Sequence, residues 1–474
     1  MDPHEPRDID RDGLIVPAGD TPDDAARSDE AADVPAPGQD DGSADEPPKT
    51  TRRNVLRAGG ILLAGAAVGG VVGYQVGGTG DEKKTKVRPT SVKIGAVIPK
   101  GSPYLGQGQE SSRGLELAVK KINDRGGLNK KDVELVLQEV QDLEPGSMQQ
   151  AANALVGEEV LAVFLGFTSP TCEEFAIYGE YGAPVFHLSG SSSSIEVVSS
   201  QQLTNIFRCL PSPIAYGARF AALLQRLAAS GDLEPRDETV AVITVEGPDG
   251  VALVDEVTGS VEHVGWTVAS SQQVQLPVED WEGVLDALRG SPPDAVFLGI
   301  ESPEDLAGFQ QAFSADPFPS LLFATFGPSV PEYLDLAAET ADGVVWSTPI
   351  GTIPDAISEE FRALYEKKFN RPSGLSQAGA QFDMCLFWAQ CAAVVKSPTK
   401  FSAVEKVIPE ILYRGVSGTI NLQNEDRVAL GFPGGTRDPG AGLPHLTFQI
   451  QGDQQALLGP APFPTKRFIP PSWL

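Results

Sequence analysis

From Ser91 onward, apolar runs of strand length alternate with segments whose apolar residues recur at helical spacing. Val92-Lys93-Ile94-Gly95-Ala96-Val97-Ile98 predicts a buried strand. Leu115, Ala118, Val119 and Ile122 then share one helical face until Gly126-Gly127 stops it. Further apolar runs at Val133 to Leu137, Val160 to Leu165 and Val185 to Leu188 are separated by helix-compatible stretches. That pattern predicts a parallel sheet covered on both faces. After Phe207-Arg208-Cys209-Leu210-Pro211 the cycle restarts with a helix carrying Phe220, Leu223, Leu224 and Leu227. A strand follows at Thr239 to Val245, then a helix from Gly250, and strands near Asp294 to Leu298, Leu321 to Thr325 and Gly343 to Ser347. Three helical patterns lie between Pro354 and Val407, and Gly418 to Leu422 and His445 to Ile450 read as late strands. The Pro-rich end from Gly459 reads as an ordered or semi-ordered tail. The prediction is an α/β protein with two doubly wound units.

Ahead of this body the pattern differs. Residues 1–50 are rich in Asp, Pro, Gly and Ala and hold 15 Asp/Glu against 4 Lys/Arg, a composition that cannot bury enough surface to offset the entropy of ordering. Thr51-Arg52-Arg53-Asn54-Val55-Leu56-Arg57 and the mildly apolar stretch Ala58 to Gly78 resemble a twin-arginine export signal, with Val55 where Phe is commoner. A signal-anchor helix is the alternative, since ~20 apolar residues span a bilayer and the arginines favour an inside N-terminus. Either reading places the body outside the cytoplasm. No lipobox cysteine follows the run, so no lipid anchor is expected.

About −11 of the net charge of −28 sits in residues 1–50, and the body is moderately acidic. An acidic surface without a basic stripe excludes nucleic acid as a partner. The four cysteines and four histidines lack metal-ligand spacing, so no metal site is expected. Cys385 and Cys391 lie six positions apart on a predicted helix, roughly 9 Å along its axis and beyond disulfide reach. They are expected in the core. Gly106-Gln107-Gly108 begins a dinucleotide-like pattern, but Ser111 replaces its third glycine. GxxxxGK[ST], GxSxG and HExxH are absent. No catalytic residue and no cofactor are expected.

Two polar clusters follow predicted strands: Phe167-Thr168-Ser169, and Ser189-Gly190-Ser191 with the serines after it. Ligands of open α/β sheets bind beyond the carboxyl ends of strands. The plainer reading is that these serines cap helices.

Val-Lys-Ile-Gly-Ala-Val-Ile-Pro from Val92, Gly114-Leu115-Glu116-Leu117-Ala118-Val119, Ile122-Asn123 with Gly126-Gly127, and Phe207-Arg208 together resemble the Leu/Ile/Val-binding family of type I periplasmic binding proteins. The resemblance implies two Rossmann-like lobes joined by three hinge crossings, near Cys209 to Pro211, Thr348 to Ile350 and Leu443. The expected division is a disordered segment 1–50, a signal 51–80 and a linker 81–90, followed by the lobes. Lobe 1 would be built from 91–210 plus 350–443, lobe 2 from 211–349 plus 444–458, and 459–474 would be the tail.

The resemblance further implies capture of a small-molecule solute in the cleft and delivery to an ABC-transporter permease. In amino-acid-binding members the positions of Ser169, Ser189, Gly190 and Ser191 hold a ligand carboxylate, and Tyr104 would lean on the ligand. The second lobe departs from that pattern: Glu301 stands where an aromatic residue is usual, Phe326 where the carboxylate for the α-ammonium is usual, and Asp249 where tyrosine is common. A cationic group is therefore expected to meet Glu301 or Asp249. For Glu301 the plainer reading is a solvated cap of the helix beginning near Pro303. A membrane-tethered sensor using the same cleft is the alternative function, and an enzyme has only Asp249 and Glu301 as candidate groups.

Overall fold

The computed structural model describes residues 91–211 and 215–474. The acidic segment 1–50, the twin-arginine-type segment 51–80 and the linker 81–90 lie outside the described residues.

The first lobe begins as β1 (Val92–Pro99), α1 (Leu105–Asp124), β2 (Val133–Val140), α2 (Pro145–Gly157), β3 (Val163–Leu165), α3 (Glu174–Tyr181), β4 (Val185–His187), α4 (Ser192–Ser200) and β5 (Ile206–Arg208). Its five strands are all parallel, in the order β2-β1-β3-β4-β5. Successive strand residues face opposite sides, and each side builds its own core. Ile94, Ala96, Phe164, Phe186 and Phe207 pack on one face, and Val97, Val163, Leu165, Val185 and Ile206 on the other. This two-sided burial is why the strands read as continuous apolar runs.

The chain then enters the second lobe through α5 (Ala215–Ser230), β6 (Thr239–Val245), α6 (Pro248–His263), β7 (Thr267–Val274), α7 (Trp281–Arg289), β8 (Ala295–Gly299), α8 (Pro303–Ala315), β9 (Leu321–Ala324), α9 (Pro331–Ala337) and β10 (Val345–Thr348). It returns to the first lobe with α10 (Ala356–Phe369), α11 (Gln377–Ala393), α12 (Phe401–Val407) and the short pairs β11 (Tyr413–Arg414) with β12 (Thr419–Ile420), and β13 (Gly431–Phe432) with β14 (Leu443–Pro444). It finishes in the second sheet as β15 (Leu446–Gln451) and β16 (Gln454–Gly459). The second sheet runs β16-β15-β10-β9-β8-β6-β7, parallel except at β15 and β16. Three passages thus link the sheets, after β5, after β10 and before β15.

The sequence pattern does not mark β7 or β16 as strands. β7 pairs only with β6 at the sheet edge, and of its residues only Val274 is buried, so it lacks an apolar signature. Past Gly459 the tail packs on the second lobe: Phe468 is buried, the Trp473 ring meets Phe313, and Ile469 exchanges two hydrogen bonds with the Gln449 side chain.

The motif residues of α1 have local causes. Asn123 Nδ2 donates to the Val133 carbonyl, and Asn123 Oδ1 accepts from the Val133 N–H, both at 2.8 Å, which fixes the turn from helix to strand. Gly127 has φ +73°, and a Cβ there would lie 2.0 Å from the Lys131 carbonyl oxygen. Gly114 lets α1 lie directly on the backbone of α11. All four cysteines are free and buried, with Cys385 and Cys391 in the first-lobe core.

Candidate functional site

The carboxyl ends of both sheets open on one cavity of about 660 Å³. Tyr104, Ser169, Ser189, Gly190 and Ser191 line it from the first lobe, and Asp249, Glu301 and Phe326 from the second, so every residue singled out from the sequence meets there. Each sits in a loop or first helical turn after a strand: Tyr104 after β1, Ser169 after β3, the serines after β4, Asp249 after β6, Glu301 after β8 and Phe326 after β9.

On the first-lobe wall the hydroxyls are already partnered. Ser169 is fully buried; its N–H donates to Glu174 Oε1 at 2.9 Å and its Oγ to Glu174 Oε2 at 2.5 Å. Burial pushes the Glu174 carboxyl above its ordinary value, against the pull of those bonds. Thr168 Oγ1 donates to Ser189 Oγ at 2.9 Å, and Ser189 Oγ also accepts from the Ser191 N–H, which leaves the Ser189 proton to donate into the cleft. Ser191 is the N-cap of α4, accepting from the Ser193 N–H, and its Oγ reaches Asp249 Oδ1 of the other lobe at 3.5 Å. The plain helix-cap reading therefore holds for Ser191, but the same hydroxyl also faces the cleft. Behind Ser189, the buried imidazole of His187 accepts the Ser189 N–H at Nδ1, and burial with Arg208 nearby pushes it down to about 3.

The second-lobe wall carries acids. Glu301 is not the cap of α8; Ser302 is, with its Oγ accepting from the Asp305 N–H at 3.1 Å. Glu301 keeps surface open to the cleft while protein surrounds it, and this enclosure, with Asp249 nearby, pushes its carboxyl up to about 7. The surface that Glu301 leaves open to solvent moderates that effect. Gln107 Nε2 of α1 donates to the Glu301 carbonyl at 2.8 Å, a direct bond between lobes.

Two groups of this wall escaped sequence reasoning. Glu256 lies on α6 seven residues after Asp249, two turns along the same face. Its Oε1 accepts from the Gly217 N–H at 2.8 Å, its Oε2 is buried without a partner, and burial pushes it up to about 8. Tyr216 of α5 lines the cavity as well, held by a backbone hydrogen bond with Phe326. The helical period of α6 was the one available signal for Glu256; Tyr216 follows the first crossing and carries none. Aromatic rings close the site from both sides, Tyr104 stacking obliquely on Phe167 with centroids 4.8 Å apart.

A family model described as periplasmic binding protein matches residues 91–430. The chain belongs to the periplasmic binding protein family. This family is one of solute-binding proteins. Among relatives of this family member, Leu/Ile/Val-binding protein homolog 7 of Brucella abortus (strain 2308) is 24% identical over 238 residues, 50% of this chain and 59% of that protein. A protein from Silicibacter pomeroyi assigned to a branched-chain amino acid ABC transporter matches with TM-score 0.74 and 25% identity, covering 81% of this chain and all of that one. The branched-chain amino acid transporter substrate binding protein of Streptococcus pneumoniae, solved with isoleucine, gives TM-score 0.62 at 16% identity, with 78% and 100% coverage. At that identity the likeness is one of fold.

Proposed function

We propose that this periplasmic binding protein is the solute-binding subunit of an ABC importer, taking a small polar solute, amino acid-like, an amide or a related molecule, between its lobes and presenting it to a membrane permease. The observation that carries the reading is the cavity itself, walled by loops at the carboxyl ends of two sheets that three chain passages join. Sites of several hundred Å³ at such positions suit a solute of amino-acid size. The names of the relatives, several of them binding proteins for branched-chain amino acids, support the same class.

Protein purified without refolding is expected to carry a small molecule that mass spectrometry detects after release by unfolding. A cleft that yields no solute, and a Tm that no amino acid, amide or amine shifts, would sink the reading. Family membership supports a site of action outside the cytoplasmic membrane. Among the described residues no helix is long and apolar enough to cross a membrane. Replacing Arg52 and Arg53 by lysine should leave a reporter fusion in the cytoplasm, and unimpaired export would count against the twin-arginine route.

A further inference from the structure

Three acids, Asp249, Glu256 and Glu301, line the cavity, and among the described residues no lysine, arginine or histidine does. Among the described residues none of the three shows an ion pair, and Glu256 is met by the backbone N–H groups of Gly217 and Ala218, with no cation beside it. Nor do they converge on one metal ion, since no group of three such side chains among the described residues is placed to hold one. Carboxyl groups gathered without counter-charge hold back one another's ionisation, and a cation brought from outside restores it.

The first-lobe wall points the same way. A ligand carboxylate there needs hydrogen-bond donors. Both donors of Ser169 go to the carboxylate of Glu174, in a buried contact that water does not reach. At the N-terminus of α4, which favours an anion, the protein sets an acid of its own: Asp249 Oδ1 accepts from the Ser191 hydroxyl across the cleft at 3.5 Å. Of the hydroxyls of Ser169, Ser189 and Ser191, that of Ser189 is left to donate, enough for a neutral acceptor such as a hydroxyl or carbonyl. The rings of Tyr104, Phe167, Tyr216 and Phe326 complete a wall that favours organic cations.

Resting on the solute-capture reading above, we infer that the cleft selects a cationic solute without an α-carboxylate, because Glu174 and Asp249 take the Ser169 and Ser191 hydroxyls that would hold one and set their own carboxyl groups beside that wall. Such a solute presents its amine, guanidinium or quaternary ammonium group to Asp249, Glu256 and Glu301. The ligand class is thus an amine related to an amino acid by loss of its carboxylate.

The test uses matched pairs of probes on the whole exported body, titrated by calorimetry: 3-methylbutylamine with leucine, agmatine with arginine, choline with glycine betaine. In at least one pair the carboxylate-free cation is expected to bind ten-fold or more tighter than its partner. In that pair Glu174→Gln, which removes the charge behind Ser169, is expected to narrow the gap. The inference is overturned if no cation binds, or if every pair that binds prefers the carboxylated member. An unchanged gap in Glu174→Gln overturns the role given to Glu174. Tight binding of leucine alone would overturn the inference yet leave solute capture standing, whereas a cleft that takes none of the six and releases no solute on unfolding removes both.

Discussion

Glu301→Gln is expected to weaken binding of a cationic solute by about 2–5 kcal/mol, the usual effect of breaking a charge pair that the ligand itself has desolvated. Glutamine keeps the shape and a hydrogen-bonding carbonyl, so the loss reports charge. The open surface of Glu301 in the cleft favours the lower end of that range, unless the solute excludes the water there. The pH dependence has a fixed sign. Glu301 is pushed up to about 7, first by the protein enclosing it and then by Asp249, so as pH falls through that region it takes up a proton and loses its charge for a cation. Asp249 on α6 and the hydroxyls of Tyr104 and Tyr216 face the same carboxylate. Affinity for the cation should therefore rise from pH 6 to pH 8. In the absence of solute the same raised group acts oppositely on stability: its contribution is full below the unfolded value of 4.5 and is lost as pH climbs through about 7. Calorimetry of wild type and Glu301→Gln at three pH values reads both effects. An affinity equal in the two proteins would remove Glu301 from the site, and since Ser302 already caps α8 it would leave the acid without a role there.

The second large effect concerns the backbone contact under the first lobe. A Cβ on Gly114 would lie 2.2 Å from the carbonyl oxygen of Ala378 and 3.1 Å from its Cα, so the clash is with the backbone of α11 and no side-chain rotation relieves it. Gly114→Ala should cost about 2–3 kcal/mol, even though alanine in a helix interior gains about 1 kcal/mol over glycine. Because the sign set by helix propensity is opposite to the sign set by packing, the experiment is decisive. Denaturant midpoints should fall with an unchanged m-value, and a stabilised Gly114→Ala would show that α1 and α11 do not touch as described.

The βα alternation was legible because the buried strands of a parallel sheet leave apolar runs such as Ile94 to Ile98 and Ala295 to Leu298, while Gly126-Gly127 and the restart after Arg208 mark breaks. The edge strand β7 was not, since solvent on its outer side lets Ser270, Ser271, Gln272 and Gln273 replace the expected pattern. In the cavity the polar clusters after β3 and β4 were legible from their place beyond strand ends, whereas Tyr104, Asp249, Glu301 and Phe326 were reached through the family resemblance. What the sequence withheld is partnership. Nothing in a Ser five residues before a Glu says that the two will face each other, yet the Ser169–Glu174 contact changes what Ser169 offers a ligand. Glu256 was hidden for a related reason: an acid on a helix reads as solvated surface until α5 is packed over it, with the Gly217 N–H against its carboxylate.

The late return of the chain to its second sheet bears on how the molecule is made. β10 lies between β9 and β15, and β15 is synthesised only after all of α10, α11, α12 and the short pairs of the first lobe. While the ribosome is still extending the first lobe's helices, β10 has an open edge, and the Trp346 ring lacks Phe448, its stacking partner at 4.6 Å. Neither lobe is one continuous stretch of chain: the first closes only with β14 and the second only with β15 and β16. Until then the edge of β10 is an unpaired one, and a nonsense mutation before Ala356 costs the second lobe β15 and β16 and the first lobe its later helices at one stroke.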